Sequence, residues 1–246
     1  MAEFLAIRHS YDDHSYIDGN NDTSLTENGV VIAREMSRSL LDSVKDRKII
    51  LRYSSKKRAV ETAEILCDSL DKGGVEYEAR LDKNLTELYQ GHFVNLESLT
   101  HEEKIDLLQS CWEEFDEHRL KNNLDYCFGD YNNALNGKID NRFTMYPFGE
   151  SQREFSVRIG NAVLSMCGDL QRSLYPIGIT HRGAIREIKN LLRSVNEGVP
   201  MEQVKDFEIY GMRYCEIVKC NIDDIDIAKK SLAQYLESRN IDANNN

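Results

Sequence analysis

Two histidines stand where an apolar, strand-like run gives way to polar sequence. The first run reads Phe-Leu-Ala-Ile-Arg and ends at His9, and the second reads Pro-Ile-Gly-Ile-Thr and ends at His181. An arginine adjoins each histidine, Arg8 before the first and Arg182 after the second. In a parallel α/β sheet the carboxyl ends of the strands form the ligand crevice. Two imidazoles and two guanidinium groups at that edge predict an anion-binding site that contains a nucleophile.

A third string of residues strengthens this prediction and reveals a family pattern. Residues 54–63 follow a strand-like run and open a helix. Together the strings resemble the histidine phosphatase superfamily, which includes cofactor-dependent phosphoglycerate mutases and many phosphatases. The family pattern is Arg-His-Gly, Ser-x-x-x-Arg-Ala-x-x-Thr-Ala, Glu-x-x-x-Gly, Gly-Glu-Ser and a late Ser-His-Gly. The corresponding strings here, in the same order, are Arg8-His9-Ser10, Ser54–Ala63, Glu87–Gly91, Gly149-Glu150-Ser151 and Thr180-His181-Arg182.

The resemblance implies a role for each matched residue. His9 is the nucleophile that forms a phosphohistidine, and Arg8 and Arg58 bind the phosphoryl oxygens. His181 adds a third donor from across the site. Glu87 occupies the place of the acid that protonates the leaving oxygen, and it could then activate the water that hydrolyses the phosphohistidine. The implied chemistry requires no metal ion and no other cofactor.

Four residues depart from the family pattern. Ser10 and Arg182 replace the glycines that follow the two histidines, and Asp12 and Ser15 stand where threonine and asparagine are common. Ser10 brings a hydroxyl close to the phosphate and is expected to bind it. Arg182 is expected to supply a cation for a second substrate anion, with projection into solvent as the alternative. These changes favour an unusual substrate or a low rate.

Helical and strand-like segments alternate along the chain, which predicts an α/β fold with a mostly parallel central sheet and helices on both faces. We expect one domain over residues 1–240 and a disordered tail over residues 241–246. Residues 92–147 form an insertion with helical and irregular parts. A segment of this length within a domain is usually functional or mobile. The insertion is therefore expected to cap the active site.

Helix caps, apolar spacing and glycines predict individual elements. The helix expected after Ser151–Glu154 directs Phe155, Ile159, Val163 and Met166 toward a core. The full set is a helix from the capping box Ser24–Glu27 to about Val44, a capped helix from about Ser55 to Gly73, a strand over Val75–Leu81, a helix from the capping box Ser151–Glu154, a helix over Ala184–Val195, a strand over Met212–Cys220 and a helix over Ile225–Glu237.

Composition excludes several classes of protein. The net charge of −11 disfavours a general binder of nucleic acid or of membrane surfaces, because both partners are anionic. No apolar run approaches the ~20 residues that span a bilayer, and the N-terminus lacks the features of a signal peptide. The six cysteines are scattered, which disfavours a zinc site and a disulfide framework. We expect a cytoplasmic protein whose partner is a small-molecule phosphate ester, and the sequence allows a homodimer.

The resemblance leaves three functions open. A metal-independent phosphomonoesterase acting on a small or medium organic phosphate is favoured. A mutase of the phosphoglycerate type must shield its phosphohistidine from water and needs extra cations, but acidic residues outnumber the basic ones in the insertion. Phe148 also precedes Gly149 where the mutases have Gly-Gly-Glu-Ser. A catalytically weak or inactive module that binds a phosphorylated ligand is the third possibility, and the departures at Ser10, Asp12 and Ser15 favour it.

Overall fold

The computed structural model describes residues 2–12, 22–87, 100, 102, 152–200, 204 and 212–244. Strands and helices alternate through most of these ranges, as the sequence predicts. In chain order the elements are β1 (Ala2–Arg8), α1 (Glu27–Val44), β2 (Ile49–Tyr53), α2 (Lys57–Lys72), β3 (Tyr77–Leu81), a 3₁₀ turn (Lys83–Leu85), α3 (Gln152–Gln171), β4 (Tyr175–Thr180), α4 (Arg182–Glu197), β5 (Ile217–Ile222) and α5 (Ile225–Asn244).

The described strands form one five-stranded sheet in the order β3-β2-β4-β1-β5. The pairs β3–β2, β2–β4 and β4–β1 are parallel, and β5 is antiparallel to β1. In the register of the parallel pairs, Arg8 lies opposite Thr180 and Tyr53 lies opposite Ile179. The carboxyl ends of β1, β4 and β2 therefore lie side by side at one edge, as the two histidine-terminated runs predict.

Side chains alternate between the two faces of the sheet, because successive residues of a strand point in opposite directions. On one face, helices α1 and α2 pack against Leu5, Ile7, Ile49, Leu51, Ile177 and Ile179. On the other face, a Cβ built on Gly178 would lie 2.7 Å from Met166 Cε of α3. Each fully buried aliphatic side chain contributes about 1.5–3 kcal/mol to the free energy of unfolding. The prediction of a mostly parallel sheet with helices on both faces is confirmed.

The N-termini of α1 and α2 differ from their predicted caps. Thr26, not Ser24, caps α1, because the Thr26 hydroxyl accepts from the Gly29 amide at 3.0 Å. Helix α2 begins after Lys56, whose own side chain makes no capping hydrogen bond, and the Asp22 carboxylate accepts from the Lys57 amide instead. Both helices end where the sequence predicts. For α3 the prediction is confirmed, since Phe155, Ile159, Val163 and Met166 are all buried.

Strand β5 differs from prediction at both ends, since it ends at Ile222 and not at Cys220, and α5 differs at its C-terminal end. Strand β5 begins at Ile217, so the predicted start at Met212 is wrong. Residues 212–216 form a turn instead, in which Cys215 has a φ of 56°. Helix α5 extends to Asn244 and includes residues 241–244, which the sequence assigns to a disordered tail.

The chain divides into two compact units, Met1–Ser15 with Asp22–Glu87 and Ser156–Asn246, and Tyr16–Asn21 with Leu88–Phe155. The first unit contains the sheet. The predicted cap over residues 92–147 belongs to the second unit and lies outside the described residues apart from residues 100 and 102. In the parts of the chain that the structure describes, no helix combines the length and apolarity needed to cross a membrane.

Candidate active site

The two predicted histidines lie next to each other at the carboxyl edge of the sheet. The His9 amide donates to the Thr180 carbonyl at 2.8 Å, which ties the end of β1 to the end of β4. The Ser54 amide donates to the Ile179 carbonyl at 3.0 Å and brings the start of the third motif to the same place. As a result, the imidazole centroids of His9 and His181 are 4.9 Å apart.

Arg58 joins the two imidazoles from the first turn of α2. Its Nε donates to His9 Nε2 at 3.1 Å, and its Nη2 lies 3.4 Å from His181 Nδ1. The same Nε is 3.6 Å from the carboxylate Oδ2 of Asp12, which is itself buried. The structure therefore brings a cation, an anion and two imidazoles together within one buried cluster.

His9 presents an unprotonated nitrogen to this cluster. Its Nδ1 is 2.7 Å from the Ser10 carbonyl oxygen, which can only accept a hydrogen bond, so Nδ1 carries the proton. Its Nε2 consequently has a lone pair, which accepts from Arg58. Burial, and next the positive charge of Arg58, lower the pKa of His9 to about 3. At neutral pH the ring is therefore uncharged, which is the form that a nucleophilic imidazole needs.

His181 is buried and also neutral. Its Nε2 lies 2.8 Å from the Ser54 hydroxyl, and because Nδ1 faces the donor Nη2 of Arg58, Nε2 is the nitrogen that carries the proton. Burial is the main cause that lowers the pKa of His181 well below its usual range, followed by charge on His9 and on Arg58. Each imidazole thus directs a lone pair toward Arg58, Nε2 of His9 and Nδ1 of His181.

The two buried imidazoles make stability depend on pH. In the unfolded chain both histidines titrate near pH 6.5, whereas in the folded chain their pKa values lie well below this. The unfolded state therefore binds more protons below pH 6.5, and the free energy of unfolding should fall as the pH falls from about 6.5 toward 5. Each histidine contributes up to about 1.4 kcal/mol per pH unit. Urea unfolding at pH 7.5, 6.5 and 5.5 measures this, with His9→Asn expected to reduce the slope. Equal free energies across that range would contradict the buried neutral pair.

The backbone that carries His9 is held by α1 and α2. The Ser10 amide donates to the Thr62 hydroxyl at 3.0 Å, and that hydroxyl donates to the Arg58 carbonyl at 2.7 Å. The Ser10 hydroxyl donates to the Gly29 carbonyl at 2.6 Å. Its proton is thus engaged within the fold, and a phosphate contact by Ser10 stays a prediction that would require a change of partner. A Cβ on Gly29 would collide with the Tyr11 carbonyl, so only glycine fits there.

Thr62→Val tests this support of the nucleophile loop. The substitution keeps the shape of the side chain but leaves the buried Ser10 amide without its acceptor, which costs about 1–3 kcal/mol. We expect a lower free energy of unfolding by that amount and a fall in any phosphoryl-transfer activity of about tenfold. Ser69→Ala is the matched control, because the Ser69 hydroxyl donates to the Ile65 carbonyl of its own helix at 3.1 Å. A variant with wild-type stability would show that the Thr62 hydroxyl does not support the loop.

The Glu87 carboxyl group lies at the N-terminus of α4, the helix that begins directly after His181. Its Oε2 accepts from the Gly183 amide at 3.0 Å, so the backbone of α4 fixes one oxygen of the carboxyl group. A Cβ on Gly183 would collide with Glu87 Oε1, so the absence of a side chain there makes room for the carboxylate. Burial lowers the pKa of Arg8, and the charges of Asp12 and Glu87 act to raise it.

Arg8 and Arg182 occupy different surroundings. Arg8 is half-buried; its Nη1 donates to the Met212 carbonyl at 2.6 Å, and its guanidinium carbon lies 3.9 Å from the ring centroid of Tyr214. Within the described residues its buried Nε has no hydrogen-bond partner. Arg182 is the first residue of α4 and is exposed, and its positive charge acts to lower the pKa of Arg8.

Sequence reasoning assigned no role to Tyr214, and its position is informative. Its ring lies 5.8 Å from the ring of His9 and 5.0 Å, edge-on, from the ring of Tyr11. The residue sits in the turn before β5, which the sequence assigns to a strand, so no motif pointed to it. The described residues contain no group of three or more His, Cys, Asp or Glu side chains placed to hold a metal ion.

Comparisons with known proteins bear on the family and on the fold. The family model of the histidine phosphatase superfamily (branch 1) matches residues 4–127. The mycobacterial glucosyl-3-phosphoglycerate phosphatase has 17% identity and a TM-score of 0.53, over 92% of this chain and 94% of that chain. A phosphoglycerate mutase from Bacillus anthracis has 17% identity and a TM-score of 0.50, over 93% and 96%. At such identities the likeness shows the fold. No curated protein matches the sequence.

Proposed function

Because the chain belongs to the histidine phosphatase superfamily, we propose that it is a metal-independent phosphomonoesterase that transfers a phosphoryl group to His9 Nε2. The observation that carries the proposal is the protonation state of His9. The Ser10 carbonyl fixes the proton on Nδ1, and the lone pair of Nε2 points into a buried cluster beside Arg58. A group that only binds phosphate would be better served by a charged imidazole.

In the first step the Nε2 lone pair attacks phosphorus and the bond from phosphorus to the ester oxygen breaks. Arg58 and Arg8 balance the charge on the transferred oxygens, and His181 donates to them once its Nε2 proton leaves the Ser54 hydroxyl. Glu87 gives its proton to the leaving oxygen. The imidazole becomes a phosphorylated cation, which the Ser10 carbonyl and the Asp12 carboxylate, 4.0 Å from Nδ1, stabilise.

In the second step a water attacks the phosphohistidine. Glu87, now ionised, takes a proton from that water, and the bond between His9 Nε2 and phosphorus breaks to release inorganic phosphate. The proton returns Glu87 to its starting form, so the two steps balance and no external acid is consumed. One carboxyl group thus acts first as acid and then as base.

The substrate class follows from the same groups. Arg8, Arg58 and exposed Arg182 suit a phosphomonoester with a small or medium organic part. A similar fold in the mycobacterial chain belongs to a phosphatase of a sugar-linked phosphoglycerate, which supports this class. The similar mutase from Bacillus anthracis keeps mutase-type transfer as the second candidate, since both activities share the chemistry up to the phosphohistidine. A cytoplasmic location and a homodimer stay predictions.

Phosphate release from p-nitrophenyl phosphate and from a panel of metabolite phosphates, in the presence of a metal chelator, tests the proposal. We expect turnover that vanadate inhibits, with rates that rank the substrates. A mutase would release little phosphate and would require a bisphosphate primer. Binding of phosphate or vanadate with no release from any compound would overturn the enzyme proposal in favour of a binding module.

Arg182→Gln tests whether the exposed arginine selects substrates. If Arg182 binds a second anion, the variant should lose about tenfold in kcat/KM on substrates with a second anionic group and keep its rate on p-nitrophenyl phosphate. Arg193→Gln is the control, because Arg193 is exposed on the same helix and pairs with Glu197 at 2.7 Å. An unchanged substrate preference would assign Arg182 to the solvated surface.

A further inference from the structure

We propose that Arg158 of α3 is a positioning residue for the general acid Glu87. Its Nη1 donates to the carbonyls of Asn84 at 2.9 Å and Thr86 at 2.8 Å, and more weakly to that of Lys83 at 3.4 Å. Its Nη2 lies 3.3 Å from the Glu87 carbonyl. One guanidinium therefore binds the backbone of the whole segment that leads to the acid. The inference rests on the proposed function.

This segment needs such a partner because of its local structure. The 3₁₀ turn Lys83–Leu85 is a single turn, and the carbonyls at the end of a short helix lack intrahelical donors. A guanidinium has several donors in one rigid plane, so it can satisfy neighbouring carbonyls together, and its charge strengthens each bond. Lysine presents one compact ammonium group and cannot reproduce this pattern. The Thr180 hydroxyl adds a bond to the Leu85 carbonyl from β4.

Two elements therefore determine where the Glu87 carboxyl group lies. Arg158 holds its backbone from α3, and the Gly183 amide holds its Oε2 from α4 at 3.0 Å. The carboxylate fills the space that a side chain at position 183 would occupy. If the backbone hold is lost, the carboxyl group shifts relative to the leaving oxygen. A misplacement of about 1 Å costs roughly a hundredfold in rate when geometry limits the chemistry.

The role predicts a dependence on the leaving group. An alkoxide leaving group needs its proton from Glu87, whereas p-nitrophenolate leaves almost without help. Arg158→Met should lower kcat on an alkyl phosphate by roughly 10- to 100-fold and kcat on p-nitrophenyl phosphate by less than about threefold, with little change in KM. Arg158→Lys should fall between wild type and Arg158→Met. Arg193→Met is the matched surface control, with wild-type rates on both substrates.

A double-variant cycle distinguishes positioning of the acid from other effects. Glu87→Gln should likewise lose more activity on the alkyl than on the aryl substrate. The double variant Glu87→Gln with Arg158→Met should be no slower than Glu87→Gln alone. Multiplied losses in the double variant, or an equal loss on both substrates with Arg158→Met, would overturn the role of Arg158 while leaving Glu87 as the acid. If Glu87→Gln itself is unselective, or the wild-type chain releases no phosphate, the proposed mechanism fails and the inference fails with it. If Arg158→Met does not fold, the same comparisons with Arg158→Lys decide the matter.

Discussion

His9→Ala is expected to lower phosphate release from every substrate by roughly four to six orders of magnitude, the scale of removing a nucleophile from a covalent enzyme. The expectation rests on the Nε2 lone pair of His9, which faces Arg58, and on the place of His9 in the family pattern. The measurement is steady-state release of phosphate under the conditions in which the wild-type chain turns over.

The variant must be shown to fold and to bind. Far-UV circular dichroism should match the wild-type chain, and urea unfolding at pH 7.5 should stay cooperative with a lower free energy of unfolding, because removal of the buried ring leaves a cavity. Vanadate binding should persist, since Arg58 and Arg8 remain. Base-quenched wild-type enzyme should hold labelled phosphate from the substrate, and His9→Ala should hold none. Wild-type turnover by His9→Ala, or label retained in it, would exclude His9 as the nucleophile.

Much of this site could be predicted because its residues follow strands directly. An apolar run that ends in histidine places that histidine at the end of a buried strand, and parallel pairing then brings two such ends together. His9, His181 and Arg58 therefore cluster as their motifs imply. The same local logic predicted α3 and the buried side chains along it, since spacing along a helix depends only on neighbouring residues.

Other features depend on contacts that no local pattern encodes. Tyr214 contacts Arg8 although the two residues lie near opposite ends of the sequence. Arg158 likewise donates to carbonyls that are far from it in sequence. Carbonyl acceptors carry no sequence signal, so a residue that binds them cannot be found from its neighbours. The prediction that Ser24 caps α1 is wrong for a related reason. The Thr26 amide donates to the Tyr11 carbonyl at 3.1 Å, and this contact favours Thr26 over Ser24 as the cap. Tertiary contact there decides where the helix begins.

Asp12 illustrates how a departure from a family pattern changes the electrostatics of a site. The sequence shows only that a carboxylate replaces a small polar residue. The structure places it beside both His9 and Arg58, where it accepts from the Thr23 hydroxyl at 2.6 Å. Next to a phosphate this charge is unfavourable, but next to a phosphorylated imidazolium it is favourable. Burial and then Arg58 lower the pKa of His9, whereas the Ser10 carbonyl and the Asp12 carboxylate act to raise it.

Arg58→Met should expose that balance. Loss of the guanidinium removes a donor to the transferred oxygens, which costs roughly 10²–10³ in kcat. It also removes the second cause of the low pKa of His9 and leaves the Asp12 carboxylate 4.0 Å from Nδ1, so the pKa of His9 should rise. A larger fraction of the nucleophile is then protonated at low pH. As the pH is lowered, we expect kcat/KM of the variant to begin to fall at a higher pH than that of the wild-type chain, whose His9 has a pKa of about 3.

The pH–rate profile and an NMR titration of His9 measure these two effects separately. Adding Asp12→Asn to Arg58→Met removes the charge that favours the imidazolium, so the pH dependence should disappear while the rate stays low. Arg8, His181 and Tyr214 also face His9 and are unchanged in both variants, which isolates the pair. A uniform loss at every pH in Arg58→Met would mean that Arg58 acts on the phosphate alone. A wild-type rate in Arg58→Met would show that Arg58 takes no part in catalysis. The physical reason why Nε2 of His9 is held toward the substrate would then be lost as well.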